Sequence, residues 1–296
     1  MCPKSSLPLS RVLLAVEGVT GAESERSQAL LAKAEQQFRT NNDDWGLGVI
    51  GFVRMETALK TGHLETAIAV GRAAAARFRQ LDDYWGLSAI LYHLGWGLRQ
   101  FGRNEEGAHE LEEAIDVAAS AGLYNTVQWA LADLALVHLT LGRRDMARDL
   151  FDRADAASEH IGDGAGTILA HYGHGLLALD DGDLDTAERR LTLARDGFSV
   201  LRTPVWVGWA LVTLARCREL RDGPLTAREL YEASLRLGRQ AGEPGLTASA
   251  LEGLARTWAV EQPDRAAALE VEASDVRERL GRPRPHYQHT WHALRH

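Results

Sequence analysis

The sequence predicts an all-α, right-handed solenoid of about seven helix hairpins, and three columns of small residues predict it. Glycines at 62, 102, 142 and 182 recur every 40 residues, and Gly223 follows one residue late. Past these glycines come Ala67, Gly107, Ala147, Ala187, Ala227 and Ala267, with Ser27 as an earlier member. Seven residues further stand Ala34, Ala74, Ala114, Ala154, Ala194, Ser234 and Ser274. Before the glycines run Ala15, Met55, Gly95, Ala135, Gly175, Ala215 and Ala255, of which only Met55 is large. Columns that stay in register mark repeated units, each burying its apolar face against the next.

Within each unit the first helix, A, carries one small column, and the second helix, B, carries the other two. Small residues at fixed helical positions let two backbones approach closely. Large apolar residues fill the rest of the face at i, i+3, i+4 and i+7. Leu94, Leu134, Leu214 and Leu254 share such a position on helix A, as do Leu31, Leu111, Phe151, Leu191, Tyr231 and Val271 on helix B. The glycine between them ends helix A with a positive φ, and an acid then opens helix B near its positive end, as in Gly182-Asp183-Leu184-Asp185. Asp43-Asp44-Trp45-Gly46-Leu47 returns as Asp82-Asp83-Tyr84-Trp85-Gly86-Leu87, with Trp45 and Trp85 expected as core staples at helix A entrances. The hairpins are expected near 7–42, 43–82, 83–122, 123–163, 164–203, 204–243 and 244–282, and 283–296 as a tail holding His286, His289, His292 and His296.

Composition bounds what such an array does. The chain has 296 residues, 33 basic and 41 acidic, for a formal charge of −8, and no basic cluster suits a phosphate backbone. Direct nucleic-acid contact by this segment is therefore not expected. No apolar run is long enough for a membrane helix, and no secretory leader stands at the start. With Cys2 and Cys217 alone, neither a disulfide framework nor a cysteine zinc site is expected, and the cytoplasm is the expected compartment. The apolar opening helix, with Val12, Leu13, Leu14 and Val16, invites either further chain upstream or a homodimer through the first hairpin.

A small residue on helix A, a turn glycine, then alanine, a large apolar residue and alanine on helix B: this pattern resembles tetratricopeptide repeats, over roughly residues 7 to 282. The units are longer than the usual repeat of about 34 residues. Two stretches, Gln80 to Leu87 and Arg279-Leu280-Gly281-Arg282-Pro283-Arg284-Pro285, resemble the C-terminal arrays of bacterial LuxR-type and SARP-type ATPase regulators. That resemblance implies a regulatory or sensor array. The nucleotide-binding module of those regulators is not in this sequence, since Lys4, Lys33 and Lys60 all lack the preceding glycine of a Walker A loop.

Stacked hairpins turn their A helices toward a concave surface. Counting from the small column on helix A, the groove is expected to hold Phe52, Tyr92, Trp96, Trp129, Tyr172 and Trp209, with a polar rim of Glu56, Arg99, Arg216 and Glu252. Rigid rings with a few polar anchors suit a small effector, a peptide or a protein segment. A protein-assembly scaffold is the alternative. An enzyme is the less expected reading, its candidates being a His93–Asp133 acid–base pair beside Tyr92 and Tyr172. His171 and His174 lie one turn apart but lack an evident third ligand, so neither a metal nor another cofactor is expected. Charge runs such as Arg103-Asn104-Glu105-Glu106 and Glu188-Arg189-Arg190 read as solvated faces.

Overall fold

The computed structural model describes residues 25–158, 162 and 164–281; the opening helix around Val12 and the tail from 283 lie outside the described residues. Thirteen α-helices and no strand occur among the described residues. They are α1 (Glu25–Thr40), α2 (Asp44–Lys60), α3 (Leu64–Gln80), α4 (Tyr84–Gln100), α5 (Asn104–Ser120), α6 (Tyr124–Thr140), α7 (Arg144–Ser158), α8 (Ala165–Asp180), α9 (Leu184–Val200), α10 (Pro204–Asp222), α11 (Arg228–Ala241), α12 (Pro244–Trp258) and α13 (Pro263–Leu280). A short 3₁₀ turn, Pro224–Ala227, precedes α11. From α2 onward the even-numbered helices are the A helices and the odd-numbered ones the B helices. No helix among the described residues is long and apolar enough to cross a membrane.

The helices group into two compact units, Met1–Leu98 with Glu106–Thr126, and Arg99–Glu105 with Val127–His296. In the first, α2 packs on α3 and α1 on α2. In the second, α8 packs on α7 and α9, α10 on α9 and α11, and α12 on α11 and α13. The A helices α8, α10 and α12 also touch in sequence, α8 with α10 and α10 with α12. Each unit is therefore a stack of antiparallel hairpins.

The turns repeat twice as often as the turn glycines indicate. Left-handed residues stand at Asn42, Gly62, Asp82, Gly102, Gly122, Gly142, Gly162, Gly182, Arg202 and Gly242, one every 20 residues, with Gly223 one position late. After eight of them the next amide reaches back five residues to a helix carbonyl, as in Asp43 N to Phe38 O (2.9 Å), His63 N to Ala58 O (2.8 Å) and Arg143 N to His138 O (2.8 Å). This is the Schellman closure, which satisfies the last carbonyls of a helix. The structural unit is thus one helix and one turn, and the hairpin is two of them. Asp43, Asp83 and Asp183 then cap the following helices through Gly46, Gly86 and Thr186 amides.

The small columns are buried. Met55, Ala67, Ala114, Ala135, Ala147, Ala154, Ala187, Ala194, Ala215 and Ala227 have no exposed surface. At Gly95 a Cβ would lie 2.9 Å from the Gly107 carbonyl oxygen and 2.7 Å from Leu111 Cγ, so only glycine lets α4 approach α5 this closely. Large rings and leucines fill what the small residues leave, with Phe78, Phe151, Phe198 and Tyr231 fully enclosed.

Two expectations need correction. In the last hairpin Ala266 and Ala273 are buried where the 40-residue spacing names Ala267 and Ser274, which are exposed. The cause is the start of α13: Pro263 opens it one residue earlier than the spacing implies, and the whole face shifts with it. Val271 is 59% exposed because no described helix packs beyond α13. The second correction concerns Trp85, which is 59% exposed and not a core staple. Its counterpart Trp45 is half-buried because its indole N–H donates to Asp83 one unit ahead, at 2.6 Å. The residue one unit ahead of Trp85 is Leu123, which offers no side-chain acceptor.

Candidate functional site

In the first unit the A helices α2 and α4 place Phe52, Glu56, Tyr92, His93 and Trp96 on neighbouring turns. The spacing of three and four along each helix puts these side chains on one face. His93 Nδ1 lies 2.9 Å from Glu56 Oε1. Phe52 meets the imidazole edge-on at a centroid distance of 4.9 Å, and Tyr92 does so at 5.0 Å. Glu56 is only 9% exposed, whereas Phe52, Tyr92, His93 and Trp96 are half-buried. A buried carboxylate thus has an imidazole as its partner, and two rings pack on that imidazole.

In the second unit Arg99 Nη2 bonds Asp133 Oδ1 at 2.7 Å, and Asp133 is fully buried. His93 and Asp133 therefore each have a partner of their own, Glu56 and Arg99. Within the second unit the half-buried Trp129 of α6 and Trp206 of α10 stand 5.7 Å apart, although they lie two hairpins apart in sequence. Trp206 stacks on Phe198 at 5.3 Å and meets Tyr172 edge-on at 5.6 Å. Trp209 lies one turn on, half-buried, and a Cβ on Gly245 would sit 3.7 Å from its ring and 3.6 Å from Gln100 Oε1. The start of α12 thereby reaches the segment Arg99–Glu105 across this unit.

Besides Glu56, two more of the expected groove residues are buried. Tyr172 is 2% exposed, covered by Phe198 and Trp206. Arg216, also 2% exposed, is no rim residue: its Nη1 lies 3.0 Å from Glu219 Oε1. Arg256 grips the same carboxylate from α12 through Nε at 2.9 Å, and the Tyr231 hydroxyl donates to it at 2.8 Å. Burial pushes the Glu219 carboxyl up, but Arg256 and Arg216 outweigh it and hold it below the usual carboxylate range. Burial pushes the Arg216 guanidinium down. This cluster ties α10, α11 and α12 together. Glu252 is bound to Arg277 of α13 at 2.7 Å.

His171 and His174 turn to different partners. His174 Nε2 meets Asp152 at 2.8 Å, while His171 Nδ1 lies 2.9 Å from Arg190. Burial first, then Arg190, lowers the His171 pKa, so this ring accepts a hydrogen bond in its neutral form. No group of three or more His, Cys, Asp or Glu suited to a metal occurs among the described residues. Cys217 is fully buried, and burial pushes its thiol up to about 11, far from a nucleophile's range.

Sequence counting missed Trp206, which lies nine positions before Ala215 on α10, one turn beyond the positions read as groove-facing. It also read the charge runs as solvated. Glu105 is indeed exposed, yet charged side chains also bridge successive hairpins: Arg143 to Glu105 at 2.6 Å, Arg72 to Glu110 at 3.2 Å, Arg239 to Glu272 at 2.6 Å, and Arg221 to Glu188. Their separations of 33 to 38 residues, one hairpin, were the available signal.

No protein-family model matches the chain, and none of the curated proteins matches it. Solved structures do. Aspartyl phosphate phosphatase F from Bacillus subtilis is similar over 92% of this chain and 71% of its own, with a TM-score of 0.70 and 12% identity. A Rap protein complexed with Competence and Sporulation Factor matches over 93% of this chain and 77% of its own, with a TM-score of 0.69 and 14% identity. The Rap conjugation gene regulator of plasmid pLS20, in complex with the Phr* peptide, covers 96% and 95%, with a TM-score of 0.61 and 11% identity. At these identities the likeness establishes a shared fold, an all-helical repeat of antiparallel hairpins.

Proposed function

We propose that this chain is a binding module that holds a peptide against the A-helix face of its hairpins. The observation that carries the reading is the Trp129–Trp206 pair. Two half-buried tryptophans from helices two hairpins apart converge over a buried Tyr172, leaving ring surface open on a rigid floor. Such rings give a ligand large contact area at low entropic cost. Of the structures with the same fold, one is in complex with the Phr* peptide and another with Competence and Sporulation Factor, and the former supports a peptide over a small metabolite. The likeness of Gln80–Leu87 and Arg279–Pro285 to LuxR-type and SARP-type arrays supports placing this module as the sensor part of a bacterial transcriptional regulator.

The test is isothermal titration calorimetry with peptides selected on the purified chain. Trp129→Ala and Trp206→Ala should each weaken binding at least tenfold while leaving helical circular dichroism unchanged. Unchanged affinity in both variants would remove this face as the site.

A further inference from the structure

We infer that Glu56 is a receptor for a basic group, a guanidinium or ammonium, of a peptide held on the A helices of the first unit; this rests on the peptide-binding reading above. The buried acids of this chain differ in their partners. Glu35 is gripped by Arg54 through both oxygens, Glu110 by Arg72, Asp133 by Arg99, and Glu219 by Arg216 and Arg256. Glu56, 9% exposed, has no arginine: its partner among the described residues is His93, on Oε1. Imidazole is the weakest base of the three basic side chains. Oε2 has no bond within the described residues, yet it is not sealed from solvent as the enclosed orphan atoms elsewhere are.

A largely desolvated carboxylate with one oxygen left open is costly to bury, and a cation offsets that cost far better than water or a neutral donor. The walls suit the same guest. Phe52 and Tyr92 flank the imidazole that holds the carboxylate, and Trp96 follows one turn along α4, so aromatic rings stand on the same A-helix face. Ring faces attract guanidinium and ammonium groups, and a guanidinium adds a charge-assisted bond to the free oxygen. His93 then serves as a positioning residue. By donating from Nδ1 to Oε1 it fixes the carboxylate and leaves Oε2 for the guest.

The test is affinity selection of a random heptapeptide library on the full chain, followed by titration of the winning peptide. Wild-type protein should enrich Arg or Lys at one position. Replacing that residue by citrulline, its neutral isostere, should weaken binding about tenfold. In Glu56→Gln the same replacement should cost less than twofold, and Phe52→Leu should lower the Arg preference without abolishing binding. Enriched peptides with no basic position, or an equal citrulline penalty in wild type and Glu56→Gln, would overturn the inference while peptide binding stood. Enrichment of no peptide at all would overturn peptide binding itself and this inference with it.

Discussion

Single residues set sharply different stakes here, and burial decides which matter. Asp133 is fully buried and Arg99 nearly so, whereas Arg143 and Glu105 face solvent. Arg99→Ala leaves a buried carboxylate short of its cation and should cost about 3 kcal/mol of stability, read from urea unfolding. Arg143→Ala should change stability by less than about 0.5 kcal/mol in the same experiment, because solvent screens exposed pairs. Gly95→Ala should cost about 2 kcal/mol, since its methyl group meets the Gly107 carbonyl and α4 must shift. His171 adds a pH dependence. Its folded pKa lies below the unfolded value, so the folded state prefers the neutral ring. The associated stability is complete above the unfolded pKa near 6.5 and drains away as pH falls through the folded value. His171→Gln should flatten the fall in melting temperature over that acidic range, and an unchanged profile would mean that other groups cause it.

At the scale of elements the turn governs the fold. From Asn42 to Gly242 the chain takes one residue of positive φ about every 20 residues, and at most of these turns a back-reaching amide bond follows before the next helix. The turns within hairpins were plain in the sequence because glycine fills all of them from 62 to 223. The turns between hairpins were not, because Asn42, Asp82 and Arg202 share that duty with Gly122, Gly162 and Gly242, and mixed residue types hide a column. Asn and Asp tolerate the left-handed region, but Arg202 does so under strain. Arg202→Gly should therefore stabilise the protein by about 0.5–1 kcal/mol, while Gly142→Ala should destabilise it by about 1 kcal/mol. Equal and opposite results in thermal unfolding would refute the conformational account of these turns.

For the molecule as a whole, the repeat was legible and the site only in part. Three small columns sufficed for helix and hairpin, with the register one residue off in α13, because close backbone approach tolerates few residue types. Groove residues carry no such constraint. Counting by period named Phe52, Glu56, Tyr92, Trp96, Trp129 and Trp209, but it also named Tyr172 and Arg216, which tertiary packing draws inside. Trp206 escaped because α10 presents it one turn before the counted positions. Pairings across units, such as Trp45 with Asp83 or Arg256 with Glu219, depend on which side chain the next hairpin supplies. A period alone does not contain that information.

The claim that the A-helix face is the binding surface is tested most directly by hydrogen–deuterium exchange of the full chain, with and without a library-selected peptide. The account predicts slowed exchange in α6 and α10 of the second unit, where Trp129 and Trp206 stand, with α7 and α9 unchanged. Protection confined to those B helices would contradict it.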